Sequence, residues 1–446
     1  MIVNSVAELI GRTPLLKIPV EVHGIHGAEL YAKLEYMNPF GSLKDRVALG
    51  MLEPVLESAK AKRQTILEAS SGNTAKALCA LAGVNGLKFK TVTNRIKTPE
   101  VRMVLQTLGA EIEELPGLSD CPDPLDPNDF TAVAARMAAA EPERYLYTDQ
   151  YFNERNLAAH YQTTGREILS DLPAVTDYFC FLGTCGSAMG VGKLLKEQVP
   201  FANVWGVVAA AGHHVPGGRN SAELWEVGFF KREFFSDLIE GTRDQAIEGM
   251  LELNRRVGIL CGPTTGLTYV AACRKLRELT LSRSAGEGKR IAVFIACDRL
   301  ESYMSYLKNH APDIFAAATS TRRRVEGLDP DEVGASPQLS PNALKECIGQ
   351  SNFFVVDIRG NFAFSRGHIP GSINVLDELF AQMIEEGSVF PTGAKICVVC
   401  SVGTISRKYA AFLLGQGYQA ASLDGGITAW KRAGHPLAQT SQIPRN

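Results

Sequence analysis

Over the first 310 residues, short apolar runs alternate with stretches of helical period, and this alternation restricts the chain to a parallel α/β arrangement. AELYAKLEYMN, RQTILEASS, KFKTVTN, DYFCFLGTCG, NVWGVVAAAG and KRIAVFIACD read as buried strands, several ending in small or polar residues where a helix would begin. RVALGMLEPVLESA, NTAKALCALAGV, PEVRMVLQTLG and SAMGVGKLLKEQ carry apolar residues at helical spacing. Strands buried on both faces need helices on both sides, so an open sheet is expected, with ligands at the carboxyl ends of its strands.

A chain of 446 residues exceeds one ordinary core, so about two or three domains are expected. Around residues 310 to 338 the pattern breaks into AAATSTRRRVEGLDPDEVGASPQLSP, where the basic triplet Arg322 to Arg324 reads as part of a solvated linker. A second, smaller α/β pattern follows, with NFFVVDIRG, GSINVLD, KICVVCS and QAASLDGG as strands. The expected division is residues 1–310, a linker over 311–337, and a second domain over 338–446. A formal net charge of −2 offers no field for nucleic acid or an anionic membrane. No apolar run reaches the roughly 18 residues of a membrane span and no basic leader precedes one, so a cytoplasmic location is expected. Ten cysteines in no regular framework suit free thiols. Eight histidines show no paired ligand spacing, the doublet His213–His214 reads as loop, and no metal is expected.

Two stretches carry chemistry. NPFGSLKDR sets Lys44 behind a Pro-Phe-Gly-Ser turn, whereas a lysine meant for salt bridges belongs on an exposed helix face. FLGTCGSAMGVGKLL runs a strand into Gly183-Thr184-Cys185-Gly186-Ser187 and then a helix, so consecutive N–H groups can form a nest for a phosphate. The loop lacks the lysine of a Walker motif and the G-x-G-x-x-G of a dinucleotide site, which favours a small phosphate cofactor. A phosphate nest and a loop lysine together describe a site for pyridoxal 5'-phosphate, whose aldehyde needs an amine and whose phosphate needs an anchor.

NPFGSLKDR also resembles the cofactor-lysine motif of the fold-type II pyridoxal-phosphate enzymes, the group of cysteine synthase, cystathionine β-synthase and threonine synthase. GRTPLLKI, EASSGNTAKALC, DQYFNERNLAAHYQTTGREI, FLGTCGS and GILCGPTTG match further family motifs in order, over roughly residues 5 to 310. The resemblance implies two open α/β subdomains with the cofactor between them, commonly in a homodimer. It implies Lys44 as the internal-aldimine lysine and Asn73 at the cofactor's phenolic oxygen. Gly183, Thr184, Cys185, Gly186 and Ser187 would form the phosphate cradle, with Cys185 where glycine or threonine is usual. Thr264 would meet the pyridine nitrogen, near which the motif order also places the carboxylate of Asp298. Ser70, Ser71, Gly72 and Thr74 would bind the substrate α-carboxylate, with Gln150 closing on the same group.

In enzymes of this kind the freed lysine removes the α-proton, the β-substituent leaves an aminoacrylate, and a sulfur nucleophile adds. Arg219, in HHVPGGRN, reads either as a surface loop residue or as a phosphate partner that would favour O-phosphoserine over O-acetylserine.

VVDIRGNFAFSRGHIPGSINV, VVCSVGTISRKYAAFLLGQGY and DGGITAWKRAGHPL resemble a single rhodanese domain over roughly residues 338 to 440. Cys400 heads the loop CSVGTIS, whose N–H groups would stabilise a thiolate or persulfide. Rhodaneses that use thiosulfate usually carry arginines in that loop, whereas Ser401 and Ile405 stand there and only Arg407 follows. The sulfur donor is therefore sulfide, a persulfide or, against the loop's composition, thiosulfate. Two functions fit: a synthase fed with sulfur by Cys400, or a lyase that breaks down cysteine and passes its sulfur to Cys400. An inactive C-terminal docking domain is a third reading.

Overall fold

The computed structural model describes residues 2–94, 96, 98–116, 123, 126–224, 228–282, 288–315, 324–387 and 390–439. Arg322 and Arg323 lie outside the described residues. The chain divides into two units, Met1–Pro312 and Asp313–Asn446.

The first unit contains β1 (Leu15–Ile18), β2 (Ala28–Lys33), β3 (Thr65–Ala69), β4 (Phe89–Thr93), β5 (Glu111–Glu114), β6 (Tyr145–Tyr147), β7 (Asp177–Phe181), β8 (Asn203–Ala209), β9 (Asp237–Gly241) and β10 (Arg290–Ile295). They form a six-stranded sheet in the order β1-β2-β10-β7-β8-β9 and a four-stranded sheet in the order β5-β4-β3-β6. Every neighbouring pair is parallel except β1 with β2. Tyr178, Phe179 and Cys180 of β7 are buried in succession, as a parallel strand between two helix layers requires. Helix Asn73–Val84 starts past the carboxyl end of β3, and helix Gly186–Gln198 past that of β7. Their N-termini and the strand ends define where a ligand can bind. The helical stretch expected over RVALGMLEPVLESA is interrupted at Glu53–Val55, because Pro54 has no N–H to continue the ladder.

The second unit holds β11 (Gln338–Leu339), β12 (Phe353–Asp357), β13 (Ile373–Asn374), β14 (Lys395–Val399) and β15 (Gln419–Leu423), all parallel in the order β11-β15-β14-β12-β13. One face packs Val356, Ile396 and Val398 against Phe380, Phe412 and Leu413. The other packs Val355, Cys397 and Val399 against Ile427 and Trp430. Part of the expected linker is folded here. Val325 is buried in the first of these cores, and its N–H donates to Glu385 at 2.8 Å. Helix Pro330–Ala335 is capped by Asp329 and lies against helix Thr404–Gly415.

Candidate active sites

Lys44 opens helix Lys44–Leu52, and the loop before it is pinned. The Asp45 carboxylate accepts from the Phe40 N–H at 2.6 Å and the Ser42 hydroxyl at 3.2 Å, while Ser42 Oγ accepts from the Lys44 N–H at 3.1 Å. Gly41 takes φ +86°, which lets the loop turn. Beneath it, buried Arg46 donates to Glu35 at 2.8 Å and to Glu167 at 2.6 Å, and Lys33 donates to Glu167 at 2.7 Å. These charges satisfy one another. Among the described residues the Lys44 side chain has one hydrogen bond, from Nζ to Thr184 Oγ1 at 3.4 Å. Burial lowers its pKa below that of an ordinary lysine, so the nucleophilic neutral amine is populated at lower pH.

Lys44 lies where two cavities meet. One is lined by Ser70, Ser71, Gly72, Thr74, Gln150 and Arg219, the other by Cys185, Gly186, Ser187, Thr264 and Asp298; Lys44, Asn73, Gly183 and Thr184 line both. The structure thus brings the sequence-derived candidates of this unit together. The substrate loop is braced from below. Thr74 Oγ1 donates to Gln150 Oε1 at 2.6 Å and Gln150 Nε2 donates to the Ala69 carbonyl at 3.1 Å, so in this state Gln150 holds the loop. Buried Glu68 accepts from Thr148 Oγ1 at 2.5 Å and from the Ala69 N–H at 3.0 Å. Burial pushes its carboxyl up to about 7.

In the cradle, Cys185 takes φ +69° as the residue before helix Gly186–Gln198, a left-handed conformation that explains why glycine is usual there. Its side chain packs into the hydrophobic core, so only its backbone is available to a phosphate. Gly186 admits no side chain, since a Cβ there would lie 2.0 Å from Asn156 Oδ1. Asn156, in the quoted DQYFNERN segment but given no role from sequence, donates to the Gln150 carbonyl at 2.7 Å and to Thr184 Oγ1 at 3.1 Å. It couples the cradle to the substrate loop. The Tyr178 and Ser187 hydroxyls are 3.0 Å apart.

Buried Thr264 Oγ1 makes no hydrogen bond of ordinary geometry among the described residues, and its polar neighbour is the Cys297 thiol. Asp298 Oδ2 accepts from Asn73 Nδ2 at 2.6 Å and from the Tyr303 hydroxyl. Arg219 is not on the surface: it is 1% exposed, donates from Nε to the Gly183 carbonyl at 2.8 Å, and stacks over Phe230. A desolvated amine, a cradle in which glycine is required and a buried threonine hydroxyl lining the same cavity fit pyridoxal phosphate. Lys44 would carry it, Gly183 to Ser187 would hold its phosphate, Asn73 would face its phenolic oxygen and Thr264 its ring nitrogen.

Cys400 forms a second site at the carboxyl end of central β14. Its Sγ accepts from the Gly403 N–H at 3.1 Å and from the Ser406 hydroxyl at 3.3 Å. The Cys400 carbonyl accepts from Ile427 at 3.0 Å, and a Cβ on Gly426 would come within 2.4 Å of it, so the double glycine lets the two loops close together. Burial alone would raise the thiol's pKa. Hydrogen bonds from the Ser406 side chain and from the N–H groups of Ser406, Val402 and Gly403 outweigh it and leave the thiol below the ordinary cysteine value. Cys397, three residues earlier, packs on the opposite face of the sheet, and burial pushes it up to about 12. The two thiols are free and of opposite character.

Residues 6–298 match the family described as pyridoxal-phosphate dependent enzyme, and residues 340–433 match the rhodanese-like domain. Cysteine synthase B of Salmonella typhimurium is 31% identical over 68% of this chain and 95% of its own length. Among solved structures, a hydrogen sulfide-producing enzyme from Fusobacterium nucleatum is 31% identical, with a TM-score of 0.59 over 68% of this chain and 100% of its own. An O-acetylserine dependent cystathionine β-synthase from Helicobacter pylori is 26% identical, with a TM-score of 0.57 over 68% of this chain and 98% of its own. With the Lys44 cavity and the Cys400 loop in place, these matches make the chain a cysteine-synthase-like member of the pyridoxal-phosphate dependent enzymes that also carries a rhodanese-like sulfurtransferase domain.

Proposed function

We propose that the first unit replaces the β-substituent of an activated serine, O-acetylserine or O-phosphoserine, to give cysteine or a related β-substituted alanine, and that Cys400 carries the sulfur as a persulfide whose outer sulfur is released as sulfide by two equivalents of a thiol reductant, which leave as a disulfide while Cys400 returns to the thiol. The observation that carries this reading is the coexistence on one chain of a desolvated Lys44 amine between substrate loop and phosphate cradle and a hydrogen-bonded, acidified Cys400 thiol. When bound, pyridoxal phosphate supplies an electron sink for charge at the amino acid's α-carbon. Ser70, Ser71, Gly72 and Thr74 would present backbone N–H groups to the α-carboxylate. Lys44 Nζ, freed when the amino acid takes its place, moves the proton off and back onto the α-carbon. Buried Arg219 places a cation beside the same cavity, where it would hold a phosphate leaving group.

A second reading, a lyase that eliminates the sulfur of cysteine as sulfide and leaves Cys400 to a separate sulfane-sulfur donor, is favoured by the similarity to the hydrogen sulfide-producing enzyme. Incubating the purified protein in turn with O-acetylserine plus sulfide, O-phosphoserine plus sulfide, and cysteine alone separates the two. The synthase reading requires cysteine formation from an activated serine to exceed sulfide release from cysteine; the reverse order establishes the lyase.

A further inference from the structure

We infer that Cys400 takes its sulfur from a persulfide on an uncharged carrier and discriminates against a dianionic donor such as thiosulfate. This rests on the sulfur-carrier reading of Cys400 given above. Residues 400–406, Cys-Ser-Val-Gly-Thr-Ile-Ser, include no charged side chain. The groups that reach Sγ, the Gly403 N–H and the Ser406 hydroxyl, are neutral donors suited to one negative charge, that of a thiolate or terminal persulfide. Two arginines of the neighbouring segments are engaged elsewhere. Arg359 binds both carboxylate oxygens of Asp357 and the Gly367 carbonyl, and Arg407 donates to the Gly334 carbonyl.

The sheet's topology supplies an apolar rim. Because β12, β13 and β14 run parallel, the segments that follow them emerge at the carboxyl end of the sheet, the end that bears Cys400. Each presents a large apolar side chain to solvent there: Phe362 is 76% exposed, Leu376 43%, and Val402 and Ile405 57% and 46%. A dianion approaching through this rim sheds water without gaining a cation, whereas an uncharged carrier loses little hydration and covers apolar surface.

The chemistry needs no further reactant. The Cys400 thiolate attacks the outer sulfur of R–S–SH, and the new Sγ–S bond forms as the R–S to sulfur bond breaks. The electron pair leaves on R–S⁻, which takes the persulfide proton to become R–SH, and Cys400–S–S⁻ remains.

The test measures how fast Cys400 of the full chain gains sulfur, by peptide-resolved mass spectrometry, from 2-hydroxyethyl persulfide and from thiosulfate. The same measurement on Ile405→Arg and Ser401→Arg, two exposed positions, supplies the missing cation. Either arginine should raise the thiosulfate-to-persulfide rate ratio roughly tenfold or more, the worth of one charge-assisted contact, and added salt should erase that gain. The inference fails if neither variant shifts the ratio, or if the unmodified protein already takes thiosulfate as fast as the variants do. Absence of loading from both donors in the unmodified protein would overturn the sulfur-carrier reading along with it.

Discussion

Asn73 gives one of its two amide N–H groups to Asp298, Nδ2 to Oδ2 at 2.6 Å, and the Tyr303 hydroxyl donates to the same oxygen. A buried carboxylate thus sets which way the amide of a cavity-lining residue points. The motif order had set Asp298 near the cofactor's ring nitrogen; the structure ties it to the residue implied at the phenolic oxygen. Asp298→Ala should weaken binding of pyridoxal phosphate roughly tenfold or more, since a hydrogen bond to a charged group contributes about 1.5–3 kcal/mol. Tyr303→Phe, which spares the Asn73 contact, should weaken it less. Titrating apo-protein with the cofactor checks both, and unchanged affinity in Asp298→Ala would remove Asp298 from the positioning of Asn73.

Lys44→Ala should abolish borohydride trapping of the cofactor on the chain and eliminate turnover. A trapped adduct that persists in this variant would transfer the role to another amine.

Replacing Arg219 with alanine should raise KM for O-phosphoserine by roughly tenfold or more and spare O-acetylserine, because only the phosphate ester needs the charge. Steady-state kinetics on both esters decides it. Equal losses would mean that Arg219 acts through its bond to the Gly183 carbonyl, by shaping the cradle.

Burial pushes the carboxyls of Asp45 and Glu68 up to about 7, from ordinary values of 3.8 and 4.5. Between those limits the folded chain binds more protons than the unfolded chain at these two groups, so their contribution to stability falls as pH rises and levels off above the folded values. Glu68→Gln cannot ionise and should show a shallower loss of Tm between about pH 4.5 and 7 than the unmodified apo-protein. Parallel melting curves for the two proteins across that window would contradict the shift.

The six expected strands of the first unit were legible because β2, β3, β4, β7, β8 and β10 lie inside sheets, where burial on both faces favours apolar and β-branched residues. The four that were not, β1, β5, β6 and β9, are edge strands: Glu111–Glu114 reads EIEE, with no apolar run to betray it. In the second unit, two-residue β11 escaped notice for the same reason. Lys44, the cradle and Cys400 stand in local motifs, the first two readable from a turn and a glycine loop and the third from the resemblance those motifs carry. The Arg219–Gly183, Asn156–Thr184 and Asp298–Asn73 bonds join residues far apart in the chain, and no local pattern encodes them. The polar composition of residues 311–337 likewise concealed Val325, whose burial depends on the core it enters.

The central claim is that Cys400 feeds the Lys44 site. Tethering a sulfur carrier to the enzyme that consumes its sulfur raises the local concentration to the order of millimolar. The most direct measurement is the rate of cysteine formation from an activated serine by Cys400→Ser, first with free sulfide and then with 2-hydroxyethyl persulfide plus a thiol that reduces the carried persulfide to sulfide, corrected for sulfide released without protein. The account predicts full activity with sulfide and loss of the persulfide-dependent rate. Equal rates for Cys400→Ser and the unmodified protein with both sources would contradict it.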